Sequence, residues 1–212
     1  MEIYNDNILL GSTNQDKRNK LSWLIEGSEL TPKPLEIGSL NSPIPEDATT
    51  HRGNAENKAI SYSQLTDKLV ICSDGGVIIP VLGSKWDSLK THRFAGENVN
   101  DQKRVSDLLK LMSPFHREDR VIIWREAVAI ARNGTLLGLW EAKGREGILL
   151  ETNDRHTENL GFWLHSLWLM PSFNLLYEDL SETQKICVYD PWSQIKPLIQ
   201  EFFKSYGARK CP

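Results

Sequence analysis

A chain of 212 residues that is 40% hydrophobic and 25% charged can bury a sizeable core and has the polarity of an ordinary soluble globular protein. Its net charge of −3 argues against a broadly basic nucleic-acid binder, though not against a local basic pocket. Three cysteines, Cys72, Cys187 and Cys211, stand far apart without CxxC spacing. That argues against a zinc site or a disulfide framework and for a reducing, cytoplasmic setting. The opening MEIYNDNILLG lacks the basic and apolar regions of a signal peptide, and no apolar run approaches the roughly 20 residues of a membrane span. Neither a membrane nor a nucleic acid is an expected partner.

Residues 7–11 (NILLG) read as a short buried strand. The following STNQDKRNKLSWLIEG reads as a helix, with Leu21, Leu24 and Ile25 at helical spacing and Gly27 as its stop. Residues 28–50 carry Pro32, Pro34, Pro43 and Pro45 and read as irregular connection. A second helix is expected over 54–66, with Ala55, Ala59, Ile60 and Leu65 facing inward. Residues 69–73 and 77–82 read as strands around a Gly75-Gly76 corner. A third helix fits 100–112, where Val105, Leu108, Leu109 and Met112 keep the spacing of one face. Residues 120–132 are β-rich, and Asn133-Gly134 turns them into TLLGLWEA as a hairpin. In the last helix Ile195, Leu198, Ile199, Phe202, Phe203 and Tyr206 share a face. The pattern predicts an α/β fold with a mixed sheet, without internal repeats or a linker long enough to separate independent domains.

Four places carry candidate chemistry. The turn Gly11-Ser12-Thr13-Asn14-Gln15-Asp16-Lys17 joins a strand to a helix start, where free N–H groups and the helix dipole suit a phosphate. Simple capping by Thr13 or Asn14, with a solvated Lys17, explains the same residues. The stretch His51–Ala59 also opens a helix, with Asn54 as cap and Lys58 one turn later; a capped surface helix is the plainer alternative. Asp74 ends an apolar run before two glycines. It is either a turn residue or a carboxylate at a strand end, where α/β proteins place their ligands. Arg93 precedes a glycine turn and is either a phosphate fork or surface charge. No GxSxG, HExxH or Walker A pattern occurs, and the five histidines lack metal-ligand spacing.

Taken in order, these segments resemble the inosine triphosphate pyrophosphatase family. Ser12–Lys17 resembles its T-x-N-x-x-K opening, and Gly53–Ala59 its E-N-A-x-x-K-A helix. Ser73-Asp74-Gly75-Gly76-Val77 resembles its D-D-S-G-L corner. Arg93-Phe94-Ala95-Gly96-Glu97, then Asn100–Lys103 and Leu108-Leu109, resemble the R-Y-x-G-E, T-D-x-x-N and L-L run. Asn159–Trp163 sits at the G-G-F-G-Y-D loop, and Asp179–Lys185 resembles E-L-x-x-E-E-K. The likeness covers nearly the whole chain, tightly over 91–112 and loosely after 140.

The resemblance implies a long mixed sheet with flanking helices, in one domain of two lobes around a central cleft, usually in a homodimer. It implies hydrolysis of a nucleoside triphosphate, often a deaminated purine, to monophosphate and pyrophosphate with Mg²⁺. Carried over by residue, Asp74 becomes the general base and a metal ligand; Glu56, Glu97 or another acid recruited by folding would complete the metal site, and Glu56 is the one taken as ligand. Ser12, Thr13, Asn14, Lys17, Lys58 and Arg93 become phosphate-binding, and Phe162 and Trp163 base-binding. The chain also departs from the family pattern. Gly53 stands at the metal-binding glutamate, and Ser73 at the first aspartate of the corner. His165-Ser166 stands at an Asp-Pro, and Tyr189-Asp190-Pro191 at a late Ser-His-Arg. The sequence therefore carries two readings: a nucleoside triphosphate pyrophosphatase with altered base choice, or a catalytically impaired relative that binds a nucleotide or a protein.

Overall fold

Strand β1 (Asn7–Leu10) leads into helix α1 (Gln15–Leu24), then β2 (Thr31–Pro34), α2 (His51–Thr66) and β3 (Leu69–Ile78). Helix α3 (Asp101–Met112) precedes the long strands β4 (Val121–Arg132) and β5 (Thr135–Leu149), which are followed by β6 (Trp168–Met170) and β7 (Leu175–Leu176). Helices α4 (Glu182–Cys187) and α5 (Pro191–Ala208) end the chain. The computed structural model describes residues 7–36, 44–96, 98–153 and 162–208. Cys211, Glu97 and residues 159–161 of the expected base loop lie outside them.

The strands form one seven-stranded sheet in the order β2-β1-β3-β4-β5-β6-β7. β1 pairs in parallel with both β2 and β3, while β6 is antiparallel to β5 and β7, so the sheet is mixed as expected. Asn133 and Gly134 join β4 to β5 with φ of 49° and 75°. Positive φ at both central residues matches the right-handed twist of the flanking strands, which is why Asn-Gly marks this hairpin.

The chain forms two compact units. The first comprises 1–75, 126–142 and 191–212; the second comprises 76–125 and 143–190. In the first unit the strands bury both faces. Ile8, Leu10, Ile71, Val128 and Ile130 pack with Leu21 and Leu24 of α1 and Trp192, Ile195 and Ile199 of α5. The alternate residues Val70, Cys72, Ala127, Ala129 and Ala131 pack with Ala55, Ala59 and Tyr62 of α2. Alternation along β3 and β4 thus assigns each face its helix. In the second unit Val105, Leu108 and Met112 of α3 pack with Val77, Ile122, Trp124 and Trp168. There the buried guanidinium of Arg120 donates to the carbonyls of Met112, Phe115, Leu149 and Leu150, tying the end of α3 to the end of β5.

The structure revises several local expectations. No corner forms at Gly75-Gly76: both residues lie within β3, which continues to Ile78. Residues 80–85 then turn as 3₁₀ helix instead of continuing a strand. Part of the proline-rich 28–50 segment is β2, an edge strand where a missing N–H costs little. Leu65 and Leu198, expected inward, are 59% and 52% exposed, so each falls off the buried stripe of its helix.

Gly11, which closes β1 and opens the first polar turn, is required by space. Its N–H bonds to the Ile71 carbonyl at 2.9 Å, and an added Cβ would overlap Cys72 Sγ and press on Tyr62. Gly11→Ala is therefore expected to destabilise the protein by about 1–3 kcal/mol through overpacking. The check is the urea midpoint: it should fall at constant slope, and an unchanged midpoint would mean that the 11–14 turn yields freely.

Candidate functional site

The polar turn after β1 is built by short side chains bonding backbone. Ser12 Oγ accepts from Asn14 N at 3.2 Å, and Asn14 Oδ1 caps α1 by accepting from Lys17 N at 3.1 Å. The capping alternative thus holds for Asn14, and it orders the turn beside the positive end of the α1 dipole. Thr13 is exposed and Ser12 half-buried. Register places Leu10 opposite Ile71, so residues 12–14 leave the carboxyl end of β1 beside Ser73 and Asp74, midway along β3.

Lys17 leaves the first turn of α1 and reaches to 3.9 Å from Glu126 Oε1. Glu126 lies on β4 with no exposed surface. A fully buried acid is costly unless it meets a cation, so this pair fixes where the Lys17 charge sits. Sequence reasoning missed Glu126, although an acid inside the apolar run VIIWREAVAIA was a visible signal.

Asp74 is not a turn residue. It is buried within β3, and both carboxylate oxygens are engaged. Oδ2 lies 2.6 Å from His51 Nδ1, and Oδ1 accepts from Lys58 Nζ at 2.9 Å. The same ammonium donates to Glu46 Oε1 at 2.9 Å. Burial pushes the Asp74 carboxyl up, but the His51 hydrogen bond and the Lys58 and Lys17 charges outweigh it and bring the group down to about 2. Burial likewise pulls Lys58 down, and Asp74 and Glu46 more than restore it, so its pKa ends raised. Asp74 is therefore an anion throughout the neutral range, and His51 must donate from Nδ1.

The helix start explains why His51 belongs here. Thr50 caps α2 by accepting from Gly53 N, so the helix begins at His51, not at 54. Asn54, expected as the cap, is buried and accepts from Ala48 N instead. With that start, His51 and Lys58 are seven residues apart and share the face that meets β3. Ser73, the neighbour of Asp74, points to the opposite sheet face. Its buried hydroxyl has no hydrogen-bond partner among the described residues, a cost that a bound ligand or water would offset.

The other candidates lie elsewhere. Helical spacing turns Glu56 roughly 200° away from Lys58, off the face that meets Asp74. Arg93 ends a 3₁₀ turn of the second unit and is exposed. Phe162 is half-buried there, edge-on to His92 and Trp124, while Trp163 is buried and stacks on Phe94. His165 packs against Phe162 and Tyr177; burial, Arg145 and Lys185 push its imidazole down to about 3, so it is neutral. Asp190 is taken by Arg145, whose Nε and Nη2 both lie 2.7 Å from Oδ1 and whose guanidinium stacks 4.9 Å from the Tyr177 ring centre. Forty-five residues separate this pair, and nothing in the local sequence announces it.

A resident magnesium ion does not fit Asp74 as it is arranged. Magnesium demands several hard oxygen ligands in octahedral array. Here both Asp74 oxygens already meet nitrogen donors, and one ammonium bridges Asp74 and Glu46. Gly53 offers no acid, and a side chain there would press its Cβ to 2.9 Å from Ala48 Cβ. Among the described residues no group of three or more His, Cys, Asp or Glu is placed to hold a metal.

Comparison with known proteins bears on the family and the fold. A dITP/XTP pyrophosphatase of Clostridium tetani is 25% identical over 202 residues, spanning 94% of this chain and 96% of its own. One of Nautilia profundicola is 26% identical, covering 84% and 88%. A HAM1 protein from Coxiella burnetii superposes with a TM-score of 0.77 at 21% identity, over 92% of this chain and 99% of that one. The Staphylococcus aureus Ham1 protein gives 0.76 at 20% identity, over 95% and 100%. These two share the fold. The family model of the Ham1 family matches residues 8–185. The chain is thus a divergent member of the Ham1, or inosine triphosphate pyrophosphatase, family.

Proposed function

We propose that this protein hydrolyses a nucleoside triphosphate to monophosphate and pyrophosphate. The observation that carries the reading is the convergence of Lys17, Lys58 and Asp74 in one unit, beside an ordered polar turn at the carboxyl end of β1. The curated relatives named dITP/XTP pyrophosphatases support it and make deaminated purine triphosphates the first substrates to try.

The phosphate tail meets the α1 start, with Ser12, Thr13 and Asn14 shaping the turn and Lys17 supplying charge. Lys58 exchanges a carboxylate for a phosphate oxygen. That exchange removes one of the cations that hold Asp74 far down, and it leaves Oδ1 open to accept a proton from the attacking water. Mg²⁺ would be carried by the triphosphate as its counter-ion and would supply neutralisation of the phosphate charge. Both described thiols, Cys72 and Cys187, are free, and no helix among the described residues is long and apolar enough to cross a membrane. A homodimer in the cytoplasm is the setting this reading carries, and light scattering checks the assembly.

The second reading, a nucleotide-binding relative without turnover, is favoured by the engaged oxygens of Asp74 and by Gly53 and Ser73 at expected acids. Pyrophosphate release from inosine, xanthosine and the four common triphosphates, with and without Mg²⁺, separates the two. Release from any of them supports hydrolysis. Tight triphosphate binding without release supports the second reading.

A further inference from the structure

We infer that His51 is a positioning residue for Asp74, holding one carboxylate oxygen in place while the other is handed from Lys58 to the water. The inference deepens the hydrolase reading and rests on it.

Asp74 sits on β3, and its two partners reach it from α2. The partners differ in kind. Lys58 is a cation on four rotatable methylenes, placed between two carboxylates and able to swing toward a phosphate. His51 has two side-chain torsions, stands in the first turn of α2 and is 2% exposed, so it cannot follow. Its Nδ1–H holds Oδ2 at 2.6 Å. When a triphosphate draws Lys58 away, a carboxylate with no second anchor would rotate about its Cβ–Cγ bond and present either oxygen. With His51 bonded to Oδ2, rotation is blocked and Oδ1 keeps its direction. Proximity effects in catalysis depend on such fixed directions. The rest of this helix face, Ala55, Ala59 and Tyr62, packs on apolar residues, so a purely structural role would be served as well by an apolar ring.

The test compares His51→Asn with His51→Phe on the triphosphate that the wild type hydrolyses best. Asn keeps an N–H donor near the Nδ1 position; Phe keeps the ring and removes the donor. His51→Phe is expected to lower kcat roughly 10- to 100-fold, as loss of an orienting partner does, with KM little changed. His51→Asn is expected to restore most of kcat. Equal losses in both variants, wild-type kcat in both, or an effect confined to KM would overturn the inference. A second measurement needs no variant of His51. The wild-type imidazole should show a strongly downfield Nδ1 proton resonance that disappears in Asp74→Asn; absence of that signal in the wild type also overturns it. If the wild type hydrolyses no triphosphate, the hydrolase reading fails first, and the resonance still decides whether His51 holds Asp74.

Discussion

Asp74→Asn is expected to lower pyrophosphate release by about 10²- to 10⁴-fold, the usual contribution of a general base, while the protein stays folded. An amide fills the same space in β3, but its one oxygen can accept from only one of the two donors, His51 and Lys58, and it cannot take a proton from water. The same substitution has a stability signature. Asp74 lies near 2 in the folded protein against an ordinary 3.8. A carboxyl depressed on folding contributes stability that is present above its unfolded pKa and is lost as pH falls through its folded one. The difference corresponds to about 2–3 kcal/mol, lost between about pH 4 and pH 2. Urea unfolding of the wild type should weaken across that window, and Asp74→Asn should be less stable at neutral pH with a flatter acid limb. Full activity in the variant would remove Asp74 as the base. An unchanged acid limb would deny that the carboxylate is held by its cations.

Much of this site was legible in the sequence because it depends on local signals. A polar turn between an apolar strand and an amphipathic helix names Ser12–Lys17, and the Asn-Gly dipeptide names the β4–β5 hairpin. Asp74 stood out as an acid at the end of an apolar run. What was not legible depended on start points and distant pairing. Helix α2 begins three residues earlier than its apolar periodicity suggests, because Thr50 is the cap and Asn54 is turned inward. That shift of three residues is what hid His51. Glu46, in a stretch expected to be irregular, meets Lys58 across twelve residues, a pairing that no periodicity encodes. The Gly75-Gly76 corner was read from residue type alone, and strand β3 keeps both residues in its run, as context overrides propensity in sheets. The metal ligand Glu56 was chosen for its charge, while helical geometry turns it from the face that Lys58 occupies.

Lys58→Met tests whether one ammonium serves both the resting site and the bound one. Met keeps the length and the apolar stem but removes the charge. In the resting protein, Asp74 then keeps only the His51 bond and the more distant Lys17 charge, while Glu46, which is largely accessible, turns to water. Breaking a buried pair costs about 3–5 kcal/mol. Here the side chains of Lys58 and Asp74 are each 11% exposed and His51 remains, so the expected loss is smaller, about 2–3 kcal/mol. The sign on the alkaline side follows from the raised Lys58 pKa. Its stabilisation is fully present below the ordinary 10.5 and is lost as pH rises through the folded value. Lys58→Met should therefore flatten the alkaline limb of the stability curve and, through the loss of its cation, move the Asp74 acid limb up toward ordinary values. Triphosphate affinity should fall roughly 100-fold, which is one charge-assisted contact of about 2.7 kcal/mol. Lys58→Arg keeps the charge and is expected to recover part of the stability but less of the binding, because the planar fork does not superpose on a swinging ammonium. Calorimetric titration with a slowly hydrolysed triphosphate analogue measures both variants. If Lys58→Met loses stability but binds the analogue as the wild type does, Lys58 neutralises Asp74 and nothing more, and the phosphate must be held by Lys17 and the α1 start. If it loses affinity and keeps stability, the His51 bond alone suffices to hold Asp74 in the folded state.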